Sequence, residues 1–259
     1  GLANEFEAGK KALDQKDYLN AVKSFRAGVA KGDKLAPNAL GELYVLGLGV
    51  DKDKGIACRL FHKGAERGDA AAQHNYGICM AKGKAGEPNY GKAFKWLSAA
   101  MNQGYKPAFC ELGNLYILGN GTNKNTKRGF NLCLKGAKSG ETKAASRVGE
   151  LYFGGVGTKK NMKQAYRWLK KAGDKQHPSA AYNLGLMYLK GEGVTKSEDK
   201  ARRWFTVSAL QRHVIAYVPA ATLYRNKVMD LLDREDIDER STRWAIFFLT
   251  LAHSIQTGP

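Results

Sequence analysis

Cysteine and proline are scarce in this chain, with four and six among 259 residues. Four cysteines are too few for a disulfide framework, and no two of them stand in the CxxC spacing of a metal site. Long hydrophobic runs are missing: the longest mostly apolar stretch, Trp244 to Ala252, has nine residues and cannot span a bilayer. The five histidines, His62, His74, His177, His213 and His253, form no HExxH and no close pair. No P-loop, GxSxG or dinucleotide fingerprint occurs either. These absences leave no catalytic constellation, no metal site and no cofactor to expect. Carboxylates are outnumbered, 24 against 42 lysines and arginines, giving a net charge of +18. An apolar fraction of 43% excludes general disorder. The chain shows no secretory leader and opens Gly1-Leu2-Ala3-Asn4 without a methionine, as expected once an upstream segment has been removed.

Glycine, by contrast, is plentiful and periodic. Gly41 returns as Gly77, Gly113, Gly149 and Gly185, each 36 residues after the last, and the register continues to Ala221. A second glycine keeps step as Gly47, Gly83, Gly119, Gly155 and Gly191. Small residues follow at Ala21, Ala57, Ala93, Gly129, Ala165 and Ala201, and bulkier ones at Phe25, Phe61, Leu97, Cys133, Leu169 and Phe205. Ladders sharing one period without an insertion identify a repeat array, which grows by stacking and needs no single large core. Inside one period, Ala36, Leu40, Leu43, Tyr44 and Gly47 fall on one helical stripe. After the loop Gly47-Leu48-Gly49-Val50, a second helix carries Ala57, Leu60, Phe61, Gly64 and Ala65, and Trp96, Trp168 and Trp204 enter later copies. A glycine within a helix costs about 1 kcal/mol relative to alanine, so its recurrence at Gly41 predicts a neighbouring helix in close approach. Asp17 suits an N-cap. The pattern predicts an opening helix pair over 5–33, repeats starting near 36, 72, 108, 144 and 180, a partial repeat over 216–226, and capping helices over 227–259.

The motif Ala-x3-Leu-Gly-x-Leu-Tyr-x2-Gly-x-Gly-Val, followed by Lys-Ala-x2-Trp-Phe, resembles the Sel-1-like repeat (SLR), a relative of the tetratricopeptide repeat. The best match is Ala180 to Ala209, through Leu184-Gly185-Leu186-Met187-Tyr188, Gly191-Glu192-Gly193-Val194, Lys200-Ala201 and Trp204-Phe205. The copy with Tyr76-Gly77-Ile78-Cys79 departs most, and its loop Gly83-Lys84-Ala85-Gly86-Glu87-Pro88 is unlike the others. The resemblance implies an all-α, right-handed solenoid of stacked helix pairs that binds proteins or peptides, and it implies no catalytic machinery. It also implies a bacterial envelope or secreted location, with the cytoplasm as the alternative. Some members are linked to β-lactam binding or hydrolysis, which makes an enzyme the second class of function. Cys110 and His74 share a phase on neighbouring first helices and are the pair such chemistry would use.

By analogy with tetratricopeptide-like stacks, the first helix of each repeat lines the concave face. The inward, non-ladder positions are then Asn38 and Glu42; His74 and Ile78; Asn114 and Ile117; Ser146, Glu150 and Phe153; Tyr182, Leu186 and Lys190; and Arg225 and Asn226. Their mixture of amides, charges and aliphatics suits an extended peptide better than a small metabolite. Lys52, Lys54, Lys84, Lys124, Lys127, Arg128, Lys159, Lys160, Lys163, Lys196 and Lys200 fall in or beside the inter-helix loops, which predicts a basic edge for an acidic protein, an anionic glycan or a lipid surface. Specific nucleic-acid binding is not expected, because no recognition helix or base-stacking motif accompanies the charge. Cys58 with Cys79, and Cys110 with Cys133, are placed symmetrically about turns, so each pair is either a disulfide or two buried thiols. The acidic block Asp230, Asp233, Glu235, Asp236, Asp238 and Glu239 precedes Trp244-Ala245-Ile246-Phe247-Phe248-Leu249, a helix expected to cap the stack or to form a weak dimer of an otherwise monomeric chain.

Overall fold

A computed structural model describes residues 2–84, 86–233 and 238–256, and the elements below are drawn from them. The regular elements are all helical: α1 Leu2–Asp14, α2 Tyr18–Ala30, α3 Ala36–Leu46, α4 Lys54–Glu66, α5 Ala70–Lys82, α6 Tyr90–Asn102 and α7 Lys106–Leu118. There follow α8 Thr126–Lys138, α9 Thr142–Gly154, α10 Met162–Gly173, α11 Pro178–Lys190, α12 Glu198–Leu210, a 3-10 turn Val214–Ala216, α13 Tyr217–Asp233 and α14 Glu239–Gln256. The chain forms two compact units, Gly1–Gly136 and Ala137–Pro259, divided within α8. The unbroken 36-residue register gives no sign of that division. In the first unit α1/α2, α3/α4 and α5/α6 pack as pairs, joined by α2/α3, α4/α5 and α6/α7. In the second, the pairs are α9/α10, α11/α12 and α13/α14, joined by α10/α11 and α12/α13.

The ladders interlock. A Cβ added to Gly41 would lie 2.6 Å from the Phe61 ring, and one on Gly77 2.7 Å from the Leu97 side chain. The same holds for Gly149 against Leu169 at 2.5 Å and Gly185 against Phe205 at 2.7 Å. Each helical glycine is therefore the socket for the bulky residue of the second helix, and Leu169 and Phe205 are fully buried there. Burying such a side chain contributes about 1.5–3 kcal/mol, which outweighs the roughly 1 kcal/mol helix cost of the glycine. One copy solves the same problem differently. Cys133 stands where the others have Leu or Phe, Gly129 stands where they have Ala, and a Cβ on Gly113 would meet the Gly129 carbonyl at 2.7 Å. There the two backbones themselves come together.

Helix ends repeat as faithfully. Gly47 takes φ +73°, closed to most side chains, and its N–H bonds to the Leu43 carbonyl to end α3. The second helices start on a ladder that sequence reading caught only at Asp17. Asp17, Asp53, Asn89, Asn125, Asn161 and Ser197 each accept from the backbone N–H three residues on, at 2.8 to 3.3 Å.

Both cysteine pairs are disulfides. Cys58 of α4 bonds Cys79 of α5, with Cα atoms 6.0 Å apart, and Cys110 of α7 bonds Cys133 of α8, with Cα atoms 4.0 Å apart. The free-thiol alternative is thereby set aside. At the other end, Phe248 of α14 is fully buried and stacks against Trp244 at 5.3 Å and Tyr224 at 5.9 Å. The same helix leaves Ile246, Phe247 and Leu249 exposed, so it seals the stack with one face only. Of the acidic block, Glu235 and Asp236 lie outside the described residues. The backbone is helical through 226 and 227, inside α13.

Candidate functional site

In the first unit α3, α5 and α7 stand side by side, and the non-ladder residues of α3 and α5 form a connected polar network. Asn38 donates to the Glu42 carboxylate at 3.0 Å, and Asn75 donates to the Asn38 carbonyl oxygen at 2.9 Å. The His74 ring lies 3.2 Å from the Asn75 carbonyl oxygen and packs on Tyr105, ring centres 5.3 Å apart. Glu42 is exposed as a residue, yet its carboxyl end is hemmed in by this network. Burial pushes its pKa above the ordinary glutamate value, against the lowering effect of Asn38 and Asn75, and the nearby Asp69 adds to the rise. Asp69 is itself buried and raised, chiefly by burial, while it caps α5 by accepting from the N–H groups of Ala71 and Ala72. The two hemmed-in carboxylates add to the local negative charge, and Lys34 offsets part of it at Asp69.

The amides beside the network tie successive turns. Gln103 donates to the Gln73 side-chain oxygen at 2.8 Å and to the Gly68 carbonyl at 3.2 Å. Arg67 donates to the carbonyls of Asp33 and Val29 at 2.5 and 3.1 Å.

The remaining sequence-predicted positions divide into those that reach the surface and those that do not. Ile78 is half-buried on α5, as is Asn114 on α7. Ile117 was expected on the open face but is buried, because its side chain fills the space that Gly129 of α8 leaves free. Ser146 is also enclosed, at 2% exposure, since α9 buries a wide arc from Ala144 to Leu151; its hydroxyl has no partner among the described residues. Glu150 pairs with Arg147 at 3.0 Å, and Phe153 lies under the Lys160 ammonium. Tyr182 packs against the Phe205 and His213 rings, and Leu186 rests partly buried on the same core. Lys190, Arg225 and Asn226 are exposed, and Asn226 borders a cleft of about 590 Å³ with Arg202 and Lys227. The candidate site is thus Asn38, Glu42, Asn75 and His74 in the first unit, with no equivalent network among the predicted residues of the second.

Asn75 escaped the sequence reading because the tetratricopeptide-like phase skips it. Its 36-residue set, Ala39, Asn75, Glu111, Arg147 and Asn183, is polar in four of five copies, and that was the available signal. The thiol–imidazole pair is corrected outright: Cys110 is bonded to Cys133 and offers no thiolate. The loop cations are all exposed as expected, and Lys84 is held below the usual lysine range by partial burial and by Lys82 and Lys54.

A periodic stack of helix pairs, with a polar network on its first helices and a socket-and-plug core, defines an all-α helix-pair repeat protein. The family model of the Sel1 repeat matches residues 36–69, 70–105, 108–141, 142–177 and 178–213, and the chain belongs to the Sel1 repeat family. Proteins of this family are generally protein-interaction scaffolds. Among solved structures, a Sel1 repeat protein from Oxalobacter formigenes is 29% identical over 96% of each chain, with a TM-score of 0.75. A protective antigen of uropathogenic Escherichia coli strains that displays an SLR fold has a TM-score of 0.76 at 22% identity; it covers all of this chain, which spans 64% of that protein. An immunity protein from Pseudomonas aeruginosa is 22% identical over 74% of each chain, with a TM-score of 0.52. These last two likenesses are of fold alone. No curated protein matches the chain.

Proposed function

We propose that the chain is a non-catalytic scaffold that holds an extended segment of a partner protein against α3, α5 and α7 of its first unit. The observation that carries this is the Asn38–Glu42–Asn75–His74 network, built from positions that vary between repeats while the ladder residues beside them stay fixed. Amides on a helix face offer donors and acceptors to a peptide backbone, and Glu42 gains most from a cationic or donor side chain placed opposite it. This departs from the acidic partner that the net charge alone suggests. The two disulfides favour an oxidising compartment and support an envelope or secreted location.

Affinity capture tests the reading, using the native protein and an Asn38→Ala, Glu42→Gln, Asn75→Ala variant at low and high salt. A protein retained by the native chain at both salts and lost with the variant is the expected result. A partner that ignores these substitutions and leaves with salt would move the function to the basic surface.

A further inference from the structure

The second unit carries a surface of the opposite character. Helix α10 has Lys163, Arg167, Lys170 and Lys171 and no carboxylate, while its Ala165, Leu169, Ala172 and Gly173 face the core. Lys163, Arg167 and Lys171 recur every four residues, so they form one row on the side away from that core, about 6 Å apart along the axis, and all three are exposed. Helix α12 lies alongside: Lys170 of α10 sits over the Trp204 ring at 5.6 Å. It adds exposed Lys200 and Arg203 as a second row. Of the carboxylates beside these rows, Asp174 is engaged by Lys170 at 2.5 Å and Asp199 by Arg202 at 2.7 Å, while Glu198 in the first turn of α12 is exposed and offsets one charge at that end. Among the described residues, none of the five row cations is ion-paired.

From this surface we infer that the α10–α12 face docks on an anionic lipid headgroup plane. Two arguments select that partner from other polyanions. First, the aromatic rings are already engaged: Lys171 lies over Trp168 at 5.2 Å and Lys170 over Trp204, so a base or a sugar stacking on that side of either half-buried indole would have to displace a cation. Second, the cations stand in two rows. A single anionic strand follows one row, whereas a plane of headgroups meets both, each Lys or Arg adding to the attraction. Attachment of this kind is peripheral, and among the described residues no helix is long and apolar enough to cross a membrane. The inference concerns residues of the second unit, not the peptide network of the first, and stands independently of it.

The test is co-sedimentation of the full chain with vesicles of phosphatidylcholine alone and of phosphatidylcholine with phosphatidylglycerol. Binding only to the phosphatidylglycerol vesicles, lost at high salt, is expected. A Lys163→Gln, Arg167→Gln, Lys171→Gln variant should lower partitioning on the order of 100-fold, and Arg167→Gln alone about fivefold. Circular dichroism confirms that the variants fold, and a Lys52→Gln, Lys54→Gln control in the first unit should bind as the native chain does. Absence of binding to anionic vesicles overturns the inference, as does equal binding by the triple variant. Retention on heparin or single-stranded RNA with the vesicles ignored overturns it in favour of a linear polyanion.

Discussion

Residues 1–136 and 137–259 are built on the same ladders yet fastened by different chemistry. The first unit holds both disulfides and caps α3 and α5 with carboxylates: Asp33 accepts from the Leu35 and Ala36 N–H groups, Asp69 from those of Ala71 and Ala72. The matching position of α7, Tyr105, makes no side-chain cap bond, and in the second unit the matching caps are one imidazole or nothing. His177 accepts from the Ala180 N–H at 3.4 Å through its Nδ1, Glu141 makes no side-chain cap bond, and the strongly basic helix α10 lies nearby in the pair with α9. The socket-and-plug geometry is common to both units, so packing sets the period and leaves fastening and surface charge free to differ. One unit can then present a peptide-binding network while the other presents a cationic face.

The largest test of that common geometry is Phe61→Ala set against Phe205→Ala, one plug from each unit. Each should lower stability by about 3–5 kcal/mol, read as lost protection in native-state hydrogen exchange of the surrounding helices. A large effect in one unit and none in the other would break the equivalence. Next, removing the Cys58–Cys79 bond as the double serine variant should cost about 3 kcal/mol, with exchange rising in α3 to α6 and unchanged in α11 to α14. Loss spread evenly over both units would show that the fasteners are not local. Cap removal comes lower: Asp53→Ala and Asn161→Ala should each cost about 1 kcal/mol, in α4 and α10 respectively, measured by denaturant unfolding.

The smallest effect sharpens the contrast most, because the partly buried Glu42 and Asp69 of the first unit and His177 and His213 of the second should respond to pH with opposite sign. Glu42 and Asp69 are raised, chiefly by burial, above their ordinary values of 4.5 and 3.8. Their favourable contribution is complete below those values and is lost as pH rises through the raised, folded ones. His177 is lowered from 6.5 by burial, Lys143 and His213, and His213 by burial. Their contribution is complete above 6.5 and is lost as pH falls through the depressed, folded values. Mild acid should therefore loosen α11 and the turn at His213 while α3 and α5 hold or gain protection. Parallel loss in both units would contradict the assignment.

Much of this was legible in the sequence. Gly41 and Phe61 declared the socket and its plug by sharing a period, and Gly47 declared the helix end, because such residue types answer to backbone geometry. The cysteine pairs were readable only as alternatives, since symmetry about a turn brings two side chains level without showing that they face each other. Ile117 and Ser146 were misplaced for a related reason. Helical phase gives an azimuth, but how wide an arc is buried depends on the neighbour, and Gly129 lets α8 close over Ile117. Asn75 was missed because a borrowed phase took precedence over its own polar row. The division within α8 left no mark, because the 36-residue period runs through it unbroken.

Hydrogen exchange of the full chain, with and without a protein captured by its native form, tests the central claim most directly. New protection confined to α3, α5 and α7, with the ladder-rich second helices unchanged, is the predicted result. Protection that appears instead on α10 and α12, or only in the lysine-bearing loops, would contradict it.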